Sequence, residues 1–312
     1  MIQVPHLGKN DKPRIFILSN SRSLYSTRRF FEEAVKNGHK TSVYPPAGLS
    51  LHIEKKGSEI FYRRKQIAIP DIIIPRVGQR KALYTLAVIK QFEMMGSVTL
   101  NPTIGIRRSR DKLRSLQMMA QHNVPIPKTF SLDDLSEIDI AIESVGGTPV
   151  IIKVTEGTQG VGVILAESKR SARSILESLI QQGQHVLVQE FIEESNGRDI
   201  RAIVLGNEVI ASMQRSSIGD EFRSNVHRGG TSSQVDLTFE SKRMAIVAVR
   251  ALGLRFAGVD LIESKRGPLI LEVNPSPGLE GIETSTGENI AKAAIQFLDK
   301  TYASTIKKRQ RA

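Results

Sequence analysis

Two observations predict an α/β chain with a Rossmann-like half-domain at its N-terminal end and an α+β remainder. Short, wholly apolar runs alternate with amphipathic stretches over residues 14–96, and strand patterns dominate from residue 186 to Pro277. Arg14-Ile15-Phe16-Ile17-Leu18-Ser19 is apolar on both side-chain parities between polar ends, the signature of a parallel strand buried on both faces. A helix is predicted over 27–37, closed by Gly38, and a strand over 41–44, before Pro45-Pro46. Residues 60–62 and 66–69 read as a small hairpin, 71–76 as another buried strand, and 82–95 as a helix ending at Gly96. Ser19-Asn20-Ser21-Arg22 stands where a dinucleotide-binding chain carries its glycine fingerprint, which disfavours that class for this half-domain.

The remainder opens with an amphipathic helix over 111–122 that carries Lys112, then Pro125-Ile126-Pro127 and Thr129-Phe130-Ser131 lead to a further helix. Strands are predicted at 150–154, 163–166 and 186–191, with a helix over 169–182, and two later helices at 240–252 and 289–302. No internal repeat is present. These patterns suggest units at 1–97, 98–185 and 186–304, followed by a basic tail at 305–312, where Lys307-Lys308-Arg309-Gln310-Arg311 reads as solvated and disordered.

A chain of 312 residues suits roughly two domains on a prior of about 150 residues each. It has no apolar run of membrane-spanning length and no signal-peptide core, which points to the cytoplasm. The absence of cysteine excludes disulfides, thiolate metal sites and cysteine nucleophiles. Forty-four Lys and Arg against thirty-two Asp and Glu leave a formal charge of +12, which favours an anionic partner. Aromatics are only 5% and tryptophan is absent, which disfavours a stacking platform for single-stranded nucleic acid.

The chemistry concentrates in a few places. Residues 257–262 and 269–274 form a predicted hairpin in which Asp260 pairs with Glu272 if the register is symmetric about Arg266, the loop ending in Gly267. Asn274 then shares a face with both carboxylates, and two opposed carboxylates repel unless a cation joins them. Hard oxygens of this kind suit Mg²⁺ or Mn²⁺, although carboxylates are also common on a solvated edge hairpin. The loop Glu156-Gly157-Thr158-Gln159-Gly160-Val161-Gly162 can bring backbone N–H groups onto a phosphate, or be an ordinary surface hairpin; no Gly-Lys-Ser/Thr follows, so it is not a Walker loop. Lys153 interrupts the apolar strand Val150-Ile151-Ile152-Lys153-Val154, which is costly unless an anion meets it or the strand is an edge facing water. Asp199-Ile200-Arg201 and Arg223-Ser224-Asn225 add an acid and guanidinium groups suited to phosphate or carboxylate, or to a surface ion pair.

In order, Arg110-Asp111-Lys112, Lys153 with the glycine loop, Gln189-Glu190-Phe191, Asp199-Ile200-Arg201, Asp260 and Glu272-Val273-Asn274-Pro275-Ser276-Pro277-Gly278 resemble the ATP-grasp ligases over roughly residues 101–302. The N-terminal half-domain resembles the one that usually precedes that fold. Residues 156–163, 222–230 and 274–281 are similar to the RimK family, whose enzyme adds glutamate to the C-terminus of the sixth protein of the small ribosomal subunit. The resemblance implies that Lys112 and Lys153 contact the phosphates of ATP, with Gly157, Thr158, Gln159 and Gly160 closing over them. It implies adenine contacts from Gln189, Glu190 and Phe191, a ribose contact from Asp199, and completion of the nucleotide site by Arg223, Ser224 and Asn225. Asp260, Glu272 and Asn274 would hold two Mg²⁺ or Mn²⁺ ions, Arg201 and Arg223 would be catalytic, and Arg228, Ser276 and Gly278 would bind substrate. The implied partners are free L-glutamate, a ribosomal protein C-terminus and ribosomal RNA, with a homo-oligomer, a tetramer, as the assembly. The implied rivals are a related ligase acting on an amino-group carrier protein or a small metabolite, and a non-catalytic regulator that keeps the fold.

Overall fold

A computed structural model describes residues 12–55, 57–76, 78, 82–154, 162–216 and 231–311. The first unit runs β1 (Ile15–Leu18), α1 (Tyr25–Lys36), β2 (Thr41–Tyr44), β3 (Leu49–Glu54), β4 (Gly57–Tyr62), β5 (Lys65–Gln66), β6 (Ile72–Pro75), α2 (Ala82–Met94) and β7 (Val98–Thr99). Strands β1, β2, β6 and β7 form the expected parallel sheet in the order β2-β1-β6-β7, with every residue of β1 and β6 buried. The small hairpin is instead a three-stranded sheet, β3-β4-β5. Its extra strand carries the alternation Leu49-Ser50-Leu51-His52-Ile53, and the expected strand at 66–69 ends at Gln66.

Next come α3 (Thr103–Arg110) and α4 (Lys112–Gln121), the former not anticipated. Asp111 is not inside α4; it is the N-cap, its Oδ1 accepting from the Arg114 N–H at 2.9 Å. β8 (Thr129–Leu132), α5 (Ile138–Ser144), β9 (Val150–Val154), β10 (Val163–Ala166), α6 (Lys169–Gln181) and β11 (Val186–Glu190) follow. They build an antiparallel sheet in the order β10-β9-β11-β8, which takes in a strand lying beyond the expected boundary at residue 185. Its outer face has a separate core, with Ile138, Ile142, Val150, Ile152, Leu176, Val186 and Val188 packed under α5 and α6. A unit with its own core can move as a body.

The last unit contains β12 (Arg198–Leu205), β13 (Glu208–Ser216), β14 (Thr231–Gln234), α7 (Phe239–Ala251), β15 (Phe256–Ser264), β16 (Gly267–Asn274), α8 (Glu280–Thr286) and α9 (Ile290–Arg309). Helix α9 continues where a disordered tail was expected, placing Lys307, Lys308 and Arg309 in its last turn, where cations favour the helix dipole. The sheet order is β14-β13-β12-β15-β16. One face, carrying Ile200, Ala202, Val204, Val259, Leu261 and Val273, packs against α7. The opposite face is divided. Ile203, Leu205, Met213 and Phe256 are buried with α8, α9 and the β1 and β6 strands, while Asp199, Arg201, Asp260, Glu272 and Asn274 occupy the other half by strand parity.

Asn101 locks the first unit to the last. This side chain is 1% exposed; its Nδ2 donates to the carbonyls of Phe256 (2.6 Å) and Pro275 (2.8 Å), and its Oδ1 accepts from the N–H groups of Arg255 and Phe256, both at 2.9 Å. All four hydrogen-bonding positions of the amide are satisfied. Among the described residues no helix is long and apolar enough to cross a membrane. Asn101→Ala leaves four buried backbone groups unpaired and is expected to lower stability by about 3 kcal/mol, measured as a fall in the urea midpoint at unchanged slope.

Candidate active site

Two bulged hairpins assemble the polar half of the sheet. In the β15–β16 hairpin Ser264 pairs with Gly267 and Leu261 with Ile270, a register centred between Lys265 and Arg266 rather than on Arg266. A bulge then leaves Leu271 unpaired, after which Asp260 opposes Glu272 and Gly258 opposes Asn274. The expected pairing is present, but a tight turn plus a bulge produces it, with Gly267 at φ 92° closing the turn. The β12–β13 hairpin does the same: Ile210 is skipped, so Asp199 opposes Arg215 and Arg201 opposes Met213. Because β12 also pairs with β15, Arg201 lies directly across from Asp260.

The resulting charge row is tightly bonded. Arg201 donates to Asp260 through Nε to Oδ1 (2.7 Å) and Nη2 to Oδ2 (2.6 Å). Arg215 donates through Nε to Asp199 Oδ1 at 2.6 Å and through Nη2 to Asp199 Oδ2, and reaches Asp260 Oδ2 at 3.0 Å. Arg215 was not foreseen, since its partners become neighbours only through the Ile210 bulge. The cation that the opposed carboxylates require is thus supplied here by two guanidinium groups. Burial by itself would raise the Asp260 carboxyl, but Arg201 and then Arg215 outweigh it and hold it well below the usual carboxylate range. Glu272 reaches solvent, yet enough protein surrounds it that desolvation, followed by the charge of Asp260, raises its carboxyl.

Lys153 and Lys112 approach Glu272 from the other side. Strand β9 is interior to its sheet, flanked by β10 and β11, so Lys153 is not on a water-facing edge. Desolvation lowers its ammonium to about 8; Glu272 opposes that shift and Lys112 adds to it. Lys112, the first residue of α4, donates from Nζ to the Val154 carbonyl at 2.7 Å, and desolvation lowers its ammonium too, with Glu272 opposing. Two lysines and a carboxylate from three distant segments therefore share one electrostatic neighbourhood.

The other expected residues fall into three groups. The Gln189 side chain, 2% exposed, donates to Thr129 Oγ1 at 2.8 Å inside the sheet. Glu190 accepts from the Lys128 N–H (2.7 Å) and from Arg266 at the hairpin tip, and its own N–H donates to the Lys128 carbonyl at 3.0 Å, so both side chains are engaged within the structure. Phe191 follows the end of β11, half-buried, and a cavity of about 220 Å³ opens beside Asp199, Glu194 and Arg198. Asn274 Oδ1 accepts from the Ser276 N–H at 2.9 Å, forming a turn that seats Pro277 on the sheet; a Cβ on Gly258 would stand 2.9 Å from Pro277 Cβ. Gly278 is exposed with open space around it. Arg76, not foreseen either, donates to the Pro277 carbonyl at 2.8 Å, and burial lowers its guanidinium to about 10. Gly157, Thr158, Gln159, Gly160, Arg223, Ser224, Asn225 and Arg228 lie outside the described residues.

The donor set fits a hard divalent cation in type, since Asp260, Glu272 and Asn274 offer oxygens from one face. Among the described residues no group of three or more His, Cys, Asp or Glu side chains gathers anywhere, so protein carboxylates alone would leave coordination positions for water or phosphate.

Comparison with known proteins shows the family and the fold. The sequence model described as the RimK-like ATP-grasp domain matches residues 109–298, and that described as the RimK PreATP-grasp domain matches 14–106. A protein of Marinobacter nauticus named "Probable alpha-L-glutamate ligase" is 47% identical over 289 residues, 93% of this chain and 96% of the relative. "Probable alpha-L-glutamate ligase 1" of Shewanella amazonensis is 46% identical over 287 residues, covering 92% and 95%. Among solved structures, the ATP-grasp ligase PsnB complexed with minimal precursor, Mg and ADP superposes with a TM-score of 0.73 at 20% identity, covering 94% of this chain and 100% of that one, a likeness of fold.

A lysine whose ammonium is depressed to about 8 is charged below that pH and neutral above it. Pyrophosphate binding followed by calorimetry is expected to weaken as pH rises through about 8, and Lys153→Met to be weak and flat across the same range.

Proposed function

The chain belongs to the RimK family of ATP-grasp ligases, and from that membership we propose an ATP-dependent ligase that adds L-glutamate to the C-terminus of a ribosomal protein. The observation that carries this reading is the convergence of Lys112 and Lys153 with Glu272 and the Asp260 charge row in one cleft. A phosphate chain needs such cations beside an oxygen-rich metal site, and a structural salt-bridge network does not need two desolvated lysines.

In the proposed reaction the acceptor's terminal carboxylate attacks the γ-phosphorus of ATP, forming an acylphosphate and releasing ADP. The amine of free glutamate then attacks the acyl carbon, the peptide bond forms, a proton leaves the nitrogen and inorganic phosphate departs. Activation is needed because a carboxylate's own leaving group would be oxide. Lys112 and Lys153 neutralise phosphate charge, Gln189, Glu190 and Phe191 receive the adenine, and Asp199 the ribose. Arg223, Ser224 and Asn225 complete the nucleotide site, and the Gly157–Gly160 stretch shields the acylphosphate from water. Asp260, Glu272 and Asn274 would hold two ions of Mg²⁺ or Mn²⁺, whose contribution when bound is to offset charge on the phosphate oxygens. Arg201 and Arg223 act on the transferring group, while Arg228, Ser276 and Gly278 take the substrate. The PsnB structure, which holds Mg and ADP, supports the use of Mg²⁺. On the same reading the enzyme works in the cytoplasm as a homotetramer, its net charge of +12 suiting an acceptor near ribosomal RNA.

Incubation with ATP, Mg²⁺, glutamate and the acceptor protein should release phosphate and give mass increments of one glutamate residue; another increment would mean another donor. Glu272→Gln should cut turnover by roughly 100-fold or more while circular dichroism and the thermal midpoint stay unchanged, and full activity in that variant would refute the metal assignment.

A further inference from the structure

The larger of the two cavities described lies away from the charge row. It measures about 460 Å³ and runs from the loop after β1 along the edge strand β2, walled by Asn20, Ser21, Arg22, Phe31, Ser42 and Tyr44 among others. The lining discriminates. The smaller cavity beside Asp199 also includes Glu194 and Glu263, whereas no carboxylate lines this one. It offers hydroxyls, an amide and one guanidinium. That guanidinium, of Arg22, lies 3.6 Å from the centre of the Phe31 ring, which restrains it, and it has no carboxylate partner among the described residues. A restrained guanidinium among hydroxyls suits an oxyanion, carboxylate or phosphate, and the ligase reading selects the carboxylate.

The cavity lies a short span from the reacting end. Leu18 at the end of β1 pairs with Tyr44 on one side and Pro75 on the other, and the Pro75 carbonyl accepts from Ser276 Oγ at 3.5 Å. The Leu279 N–H donates to Ser26 Oγ at 3.0 Å, just beyond the loop that forms the cavity wall. Strands stand about 4.8 Å apart, so Tyr44 on β2 lies roughly 10 Å from Pro75, the partner of Ser276, a span covered by about three extended residues at ~3.3 Å each.

We propose that the cavity between the loop after β1 and the edge strand β2 is a subsite for the side-chain carboxylates of an acidic acceptor tail, with Arg22 as its cationic contact. This rests on the glutamate-ligase reading above and extends it: residues already added are held there while the terminal carboxylate lies near Ser276 and Gly278. The same carboxylate chemistry could come from a peptide or from free glutamate, and the peptide is the occupant because the cavity is separated from the reacting end by several residues' length.

The test is direct binding to the full chain without turnover, by fluorescence anisotropy of labelled peptides ending in Glu-Glu or Gln-Gln, with free glutamate as competitor. Arg22→Met is expected to weaken the Glu-Glu peptide about tenfold, Arg22→Lys to recover part of that, and Ser42→Glu to weaken it further, with Gln-Gln binding and nucleotide affinity unaltered. Equal binding of the two peptides, an unchanged Glu-Glu affinity in Arg22→Met, or displacement of the Glu-Glu peptide by millimolar free glutamate would each overturn it. Arg22-dependent binding by a chain that transfers no glutamate would refute the ligase reading alone.

Discussion

The site depends on two single-residue bulges. Without the one at Leu271, the turn at Lys265-Arg266 would pair Asp260 with Leu271 and Val259 with Glu272, turning the second carboxylate onto the face covered by α7. Without the one at Ile210, Asp199 would oppose Gln214, and Arg215 would fall on the apolar side. Both hairpins begin in one register at their turns and finish in another at the cleft, so the same strands bury an uninterrupted apolar face below and present an uninterrupted charged one above.

That charged half is sustainable only because it is internally compensated. A carboxylate as buried as Asp260, 4% exposed, has desolvation working against its ionised form, and the Arg201 and Arg215 guanidinium groups reverse that balance. The compensation stops at Glu272, whose carboxyl stays raised, and at Lys153, whose ammonium stays lowered. Groups left uncompensated beside a fully compensated network mark where a charged ligand completes the electrostatics. The supporting frame is rigid where it must be. Asn101 ties the start of β15 and the Pro275 carbonyl together, Arg76 holds the Pro277 carbonyl, and the β10-β9-β11-β8 sheet has its own core under α5 and α6.

Much of this was legible in the chain. The wholly apolar β1 and β6, the lysine within β9 and the oxygen-bearing β15–β16 hairpin each carry a local pattern with one cheap structural solution. Strand β3 was not anticipated although its alternation was present, because only Leu49 of it is buried and the rest of the strand is largely exposed. Helices α3 and α8 were missed because Thr103–Arg110 and Glu280–Thr286 are short and take their stability from packing, with Gly105 abutting the Gly253 carbonyl. Arg215, Arg76 and Asn101 had no signal at all, as their partners lie 16 to 201 residues away in sequence.

The sequence by itself determined which residues bear charge inside apolar strands, and the motif order that identifies the family, because hydrophobic periodicity and spacing are properties of neighbours along the chain. Tertiary structure alone decided which charges meet. Register is set by turn geometry and bulges, which cost little and leave no residue-type signature, and each one-residue shift exchanges the two faces of a strand. The Asp260 and Glu272 pairing was read correctly from the wrong turn, and the guanidinium pair that makes it tolerable became visible only once both hairpins were folded.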